Sequence, residues 1–249
     1  MSEKDDVKQR YDSTIEQRYG DPGNIKDPRV DISPVMRYFR QRKIETALRL
    51  GGYKEGEKVL EIGSNIGQYT TLLAERGISM VGIDLSDKAV EVARKIAKML
   101  NFGNVDYFPM DAEDLAYFKD GTFSGVVSFS TWRYVPDLKK ALKEIYRVTK
   151  PGGTIVLDFP NKHCPWFTLL KNRFGVENHI HDHFYSAKEL ASLFKETGFT
   201  DIATEKIMFT HYTFSPRFLD LYKALDRICE NTFFIKEMAA IVLCKGVKR

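Results

Sequence analysis

The chain has 249 residues, 43% of them hydrophobic, which suits one globular domain with a sizeable core. Its 38 basic and 34 acidic residues leave a net charge of +4, too balanced to argue for nucleic acid, so no DNA partner is expected. Cys164, Cys229 and Cys244 form no Cys-x-x-Cys pair, the charged start MSEKDDVKQR has no apolar h-region, and no run of about eighteen apolar residues occurs; these features exclude a disulfide framework, a signal peptide and a membrane span, and predict a reducing, cytoplasmic setting.

Residues 1–32 are polar and broken by Gly20, Asp21-Pro22-Gly23 and Asp27-Pro28, which predicts an arm with a short helix around 7–18. Tyr11 and Tyr19 set it apart from a disordered terminus, where aromatics are scarce. Ser33-Pro34 opens a helix that runs through Val35, Phe39, Ile44, Ala47, Leu48 and Leu50 to Gly51-Gly52. Arg37, Arg40, Arg42 and Lys43 lie between these apolar positions, either as a solvated face or with one arginine aimed at an anionic group.

Residues 58–84 organise the chain: KVLEIGSNIGQYTTLLAERGISMVGID. Val59, Leu60 and Ile62 read as a strand buried on both faces, Gly63 and Gly67 bracket a sharp turn, and a helix follows at 69–76. Met80, Val81 and Ile83 form a second strand ending in Asp84, about 20 residues beyond Gly63, where a carboxylate can accept from two ribose hydroxyls. A dinucleotide would require glycine at the first, third and sixth positions of the turn; these are Gly63, Asn65 and Gln68, so an adenosine-type cofactor is the better reading.

Ser86 caps the next helix, through Ala89, Val92, Ala93, Ile96 and Leu100. Strands are predicted at 105–108, 123–129, 154–159, 202–209 and 239–244, with helices at 136–148 and 187–197. This alternation argues for an α/β fold with a parallel sheet covered on both faces. Irregular stretches at 160–183 and 211–236, the second rich in aromatics, follow the fifth and sixth strands. Ligands sit at the carboxyl ends of such strands, so the first insertion is expected to roof the site.

The turn Glu61-x-Gly63-x-Asn65-x-Gly67 resembles the acidic-x-Gly-x-Gly-x-Gly turn of the class I S-adenosylmethionine-dependent methyltransferases. Asn65 replaces the middle glycine, a mild departure because Asn tolerates left-handed angles. Three further segments continue the resemblance in order: Asp111-Ala112-Glu113-Asp114-Leu115, then Leu142-x-x-Ile145-x-Arg147-Val148-x-Lys150-Pro151-Gly152-Gly153, then Phe184-Tyr185-Ser186-x-x-Glu189-Leu190 with Gly198-Phe199. The chain is thereby similar to the small-molecule branch, of methyltransferase type 11 or ubiquinone-menaquinone methyltransferase type. The resemblance implies a Rossmann-like, seven-stranded, mostly parallel sheet with the last strand antiparallel. It divides a single domain into an arm or lid at 1–32, a cofactor-binding half at 33–159, and a substrate-side half at 160–249 with lid insertions at 160–183 and 211–236.

The same resemblance implies where S-adenosylmethionine binds and S-adenosylhomocysteine remains as product. Glu61, Gly63, Ser64, Asn65 and Gly67 shape the methionine end, Asp84 holds the ribose, and Leu85 packs on the adenine. Asp111 accepts from the adenine amino group with Ala112 beside it, Ser130 lies at the sulfonium edge, and Tyr11 and Tyr19 belong to a helix that closes over the cofactor. The alternative for Asp84 and Asp111 is plain turn or helix capping.

The fourth strand ends in Ser128-Phe129-Ser130-Thr131-Trp132-Arg133-Tyr134. It lacks the Asn-Pro-Pro-Tyr tetrad of related adenine-amino and glutamine methyltransferases, and the glutamate-histidine pair of many small-molecule members. Trp132 and Tyr134 are an aromatic wall or core packing. His179, His181 and His183 alternate as a metal site could, but methyl transfer needs no metal; His183 matches a single histidine of the resembled family. No metal is expected, and His183 and Tyr134 are the candidate catalytic residues.

The expected activity is in-line methyl transfer from S-adenosylmethionine to a small, apolar or aromatic acceptor. The alternatives are an RNA or protein methyltransferase, which would need a basic docking surface, and, of another class, a non-catalytic S-adenosylmethionine-binding module. Nothing in the sequence sets the oligomeric state.

Overall fold

A computed structural model describes residues 2–29, 32–168, 183–211 and 213–249. Its strands are β1 (Lys58–Ile62), β2 (Ser79–Asp84), β3 (Val105–Pro109), β4 (Phe123–Ser128), β5 (Thr149–Pro160), β6 (Thr200–Ile207) and β7 (Ile241–Val247). They form one sheet in the order β3-β2-β1-β4-β5-β7-β6. The pairs β1–β2, β1–β4, β2–β3 and β4–β5 are parallel, and β7 runs antiparallel to both β5 and β6. The order reverses between β1 and β4, and Ile62 stands opposite both Ile83 and Ser128. A reversal of this kind opens a crevice at the carboxyl ends of the strands.

The uninterrupted burial of residues 59–62 follows from cover on both faces. On one face Leu60, Ile62, Val81 and Val126 pack against Leu138, Ala141, Leu142 and Ile145 of helix α5 and against Leu190 and Phe194 of a later helix. On the other face Val59, Met80, Val127 and Val156 meet Ile44 and Ala47 of the helix Pro34–Gly51 and Leu73 of the short helix Thr70–Ala74. Each such fully buried aliphatic side chain stabilises the fold by about 1.5–3 kcal/mol relative to its exposed state.

The helices are α1 (Glu3–Tyr19), α2 (Pro34–Gly51), α3 (Thr70–Ala74), α4 (Asp87–Met99), α5 (Leu138–Val148), α6 (Pro165–Thr168), α7 (Ala187–Glu196) and α8 (Leu219–Asn231). Their starts are set by side-chain caps: Ser33 accepts from the Met36 amide, Ser86 from Ala89, and Asp137 from Lys140. Ser186 with Glu189 forms a capping box at α7. A second box, Ser2 with Asp5, starts α1 earlier than residue periodicity predicts. Val7 and Ile15 are buried, and Ile15 packs on Ile66, Ala89 and Ile96.

The strand boundaries shift at the sheet's far edge. β6 spans 200–207 rather than 202–209, because Met208 takes a left-handed φ of 75° and breaks the strand. β7 continues to Val247 because it has partners on both sides as far as that residue. The aromatic stretch after β6 contains α8, which polar and aromatic spacing did not announce. Among the described residues, no helix is long and apolar enough to cross a membrane.

Candidate active site

The turn after β1 is held by backbone and side chain together. The amides of Gly63 and Ser64 both donate to the Ile83 carbonyl at 2.8 Å, which ties the turn to β2. Gly63 has φ of 73°, and a Cβ there would collide with the Thr131 side chain. Asn65 occupies the left-handed region at φ 48°, as its sequence position requires, and its Oδ1 accepts from the Ile66 amide at 2.8 Å. Asp84 Oδ2 accepts from the Asn65 amide at 2.8 Å and Oδ1 from Ser86 at 2.9 Å. Burial pushes the Asp84 carboxyl up, and these amides hold it down.

One cavity of about 520 Å³ opens on this turn. Gly63, Ser64, Asn65, Asp84 and Leu85 line it, as do Asp111, Ala112 and Ser130. Tyr11 and Tyr134 also line it, with ring centroids 5.6 Å apart in edge contact. These ten are therefore brought together by the fold.

Four other expected residues do not line the cavity. Tyr19 packs against the apolar cluster of Ile15, Ile66 and Ala89. Gly67 is needed for packing, since a Cβ there would strike the Tyr107 hydroxyl. Glu61 lies buried in β1, where one oxygen accepts from the Thr70 hydroxyl. His183 Nε2 lies 3.0 Å from Glu3 Oε1, and its amide donates to the Arg133 carbonyl at 3.1 Å, so it joins the arm to the β4 edge. His179 and His181 lie outside the described residues. Trp132 is fully buried and stacks on Phe159, which assigns it to the core, while Tyr134 forms wall.

The arm reaches the cavity at Asp111 and Glu113. Lys4 Nζ lies 2.6 Å from Asp111 Oδ2 and 2.7 Å from Glu113 Oε2. Asp111 Oδ1 accepts from the Glu113 amide at 2.8 Å, so the capping role and the cavity-facing position coexist. Ser86 Oγ donates to Asp12 Oδ1 at 2.5 Å, which fixes the middle of α1 over the turn.

Two cations of α2 are turned inward. Arg37 is exposed and Arg42 pairs with Glu230, as on a solvated face, but Arg40 and Lys43 are buried and line the cavity. Arg40 donates to the Pro28 carbonyl at 2.6 Å. Lys43 Nζ lies 2.6 Å from Asp158 Oδ2, mainly a charge contact, and donates to Ser130 Oγ at 2.7 Å. Ser130 has φ of 61° and its amide donates to Asp158 Oδ1 at 2.5 Å. Burial pulls the Lys43 ammonium down and Asp158 pushes it back up. A lysine removed from water holds its charge only beside such a partner.

Phe39, Phe129 and Phe167, with His211 and Ile241, also line the cavity. Sequence reading missed His211, although it stands just past the carboxyl end of β6, on the edge where ligands gather. Its Nδ1 lies 2.7 Å from Thr213 Oγ1, and burial lowers its pKa.

Five buried polar side-chain atoms have no hydrogen-bond partner among the described residues: Glu61 Oε1, Ser64 Oγ, Tyr107 Oη, Trp132 Nε1 and Asp158 Oδ2; of these residues only Ser64 lines the cavity, at the glycine turn. Such atoms are ordinarily satisfied, so the place of the Ser64 hydroxyl on the cavity wall fits a polar ligand seated there. Burial pushes the Glu61 carboxyl up to about 8. A left-handed turn, the cavity-lining carboxylates of Asp84 and Asp111 and the orphaned Ser64 hydroxyl suit an adenosine-methionine cofactor.

A family model described as a methyltransferase domain matches residues 36–204. The chain is 30% identical over 214 residues to the ubiquinone biosynthesis O-methyltransferase of Thiobacillus denitrificans, covering 82% of this chain and 85% of that protein. The fold matches phosphoethanolamine N-methyltransferase 2 of Haemonchus contortus, solved with S-adenosyl-L-methionine, at a TM-score of 0.67 and 22% identity, over 100% of this chain and 60% of that one. It matches the cyclase SpnF at a TM-score of 0.70 and 19% identity, over 97% and 94%. At such identities these two solved structures speak for the fold alone. With the family match over residues 36–204 and a relative matched over 85% of its length, the chain belongs to the class I S-adenosylmethionine-dependent methyltransferases.

Proposed function

We propose that this methyltransferase acts on a small, largely apolar or aromatic acceptor and methylates an oxygen. The observation that carries this reading is that one cavity is lined both by the glycine turn and by Phe39, Phe129 and Phe167. The naming of the Thiobacillus relative as a ubiquinone biosynthesis O-methyltransferase supports the oxygen. Asp84 would hold the ribose hydroxyls, Asp111 the adenine amino group, and Ser64 the methionine end. Arg40, buried with only a backbone carbonyl as partner among the described residues, would hold the methionine carboxylate.

S-adenosylmethionine supplies an electrophilic methyl group on a sulfonium. The chain has to align the acceptor, exclude water and remove the acceptor's proton. Tyr134 and Phe129 would wall the acceptor, and His211, kept neutral by burial, would take the hydroxyl proton. His183, the histidine expected at the site, would anchor the arm through Glu3. The three cysteines are free and two of them are buried, which supports a reducing, cytoplasmic setting.

The test is methyl transfer from radiolabelled S-adenosylmethionine to a panel of phenols, catechols, amines and phosphorylated amines. Label entering the organic phase with phenols or catechols is the expected result. Label confined to amines, RNA or protein would refute the reading.

A further inference from the structure

Helix α8 is built inside out. Its single buried residue is an aspartate, Asp226. That carboxylate accepts from the amides of Phe209 and Thr210 at 2.7 and 3.0 Å, from Thr210 Oγ1 at 2.8 Å and from the Tyr38 hydroxyl at 2.9 Å. The helix is thus held through two carboxylates, Asp226 and Glu230, the second accepting from the Met208 amide at 2.9 Å and pairing with Arg42, with its apolar stripe turned the other way. Leu221, Leu225 and Ile228, three and four residues apart, share one face and are 56%, 44% and 62% exposed. The next turn continues that surface with Phe233 and Phe234, 71% and 80% exposed. A surface helix ordinarily turns such a stripe to the core, and an exposed patch of this extent marks an interaction site.

Charge selects the partner. The acidic groups of this region are spent: Asp226 and Glu230 face inward, Asp220 pairs with Lys223 and Glu237 with Lys206. Arg217 and Arg227 are exposed and have no acidic partner among the described residues. Lys236 Nζ lies 5.3 Å from the centroid of the protruding Phe233 ring. An apolar face bordered by cations that reach sideways suits an anionic lipid surface. A two-fold contact between copies would instead set these cations against one another.

We propose that the outer face of α8 and the Phe233-Phe234 turn dock on an anionic bilayer surface. The inner face of the same helix holds Thr210, which lines the cavity beside His211, so docking brings a wall of the active site to the lipid. This extends the reading of an apolar acceptor, which would be drawn from the bilayer.

The test is co-sedimentation of the full chain with vesicles of phosphatidylcholine alone and of phosphatidylcholine with phosphatidylglycerol, with S-adenosylhomocysteine calorimetry as the check on folding. The chain is expected to pellet with the anionic vesicles and to be released by high salt. Phe233→Ser/Phe234→Ser should lower the partition at least about tenfold and leave S-adenosylhomocysteine affinity unchanged. If that variant fails to fold, Arg217→Glu/Arg227→Glu should show the same loss. Partition equal to wild type in the folded variant, or no pelleting with either vesicle, overturns the proposal. So does a dimer in sedimentation velocity that the phenylalanine variant converts to monomer, since the face would then be a contact between copies. Vesicle binding without transfer to any apolar acceptor would support docking and defeat the acceptor reading.

Discussion

Asp84 combines two tasks that one mutation removes together. It caps the turn through the Asn65 and Ser86 amides and turns its remaining lone pairs to the cavity. A hydrogen bond to a charged group contributes about 1.5–3 kcal/mol, so Asp84→Ala should weaken S-adenosylhomocysteine about 10- to 150-fold by calorimetry. A folded variant with wild-type affinity would remove Asp84 from the site. Glu61 makes a prediction of stability. Its carboxyl, raised to about 8 by burial, favours the folded state most below the unfolded value of 4.5, and that contribution is lost as pH rises toward 8. The ligand-free protein should lose melting temperature across that window, and Glu61→Gln should flatten the loss by several degrees, on the order of what 1–2 kcal/mol gives. Parallel melting curves for the two proteins would exclude it. His211 as general base predicts that kcat rises with pH through a midpoint below 6.5, its ordinary value, and then levels. His211→Gln should cost about 10²- to 10⁴-fold in kcat with cofactor affinity intact. A variant with full kcat would return the role to another group.

At the scale of elements, α1 is the part most exposed to test. It meets the site through Lys4, Tyr11 and the Ser86–Asp12 bond, and through few buried apolar residues, Val7 and Ile15. An element tied mainly by polar contacts opens at lower free energy than the sheet. Hydrogen exchange in α1 should slow when S-adenosylhomocysteine is added, and removal of residues 1–32 should reduce turnover far more than melting temperature. Full turnover in the truncated chain would make the arm a bystander. The strands, the glycine turn and the capped helices were legible because periodicity, caps and left-handed positions report local physics. An inward arginine on α2 was one of two readings open from the sequence, and the fold turns Arg40 inward; Lys43 was not legible, because an amphipathic pattern assigns a lysine to solvent and only the fold supplies Asp158. The helix α8 was hidden for the same reason reversed: its apolar residues face out and its one buried residue is Asp226. His211 was within reach, two residues beyond the expected end of strand six, and was passed over because the neighbouring aromatics drew the reading toward a lid. Of that connection's described residues, Thr210 and His211 line the cavity while Phe218, Phe233 and Phe234 stand in solvent.

For the whole molecule, the order β5-β7-β6 has a consequence in time. Within the sheet, the one neighbour of β6 is β7, and β7 lies between β5 and β6 although it follows both in the chain. During synthesis the first five strands can pair as they emerge, since each finds its neighbour already made. β6 cannot join them until the ribosome has added residues beyond 240, and meanwhile the flank of β5 is an open template for other chains. The nascent protein is thus most prone to aggregation late in its synthesis, and a chain stalled between β6 and β7 should recruit holdase chaperones more strongly than one stalled before β4. In refolding, pulse-labelled exchange should find the amides of β6 protected last, after those of the five strands that pair without β7.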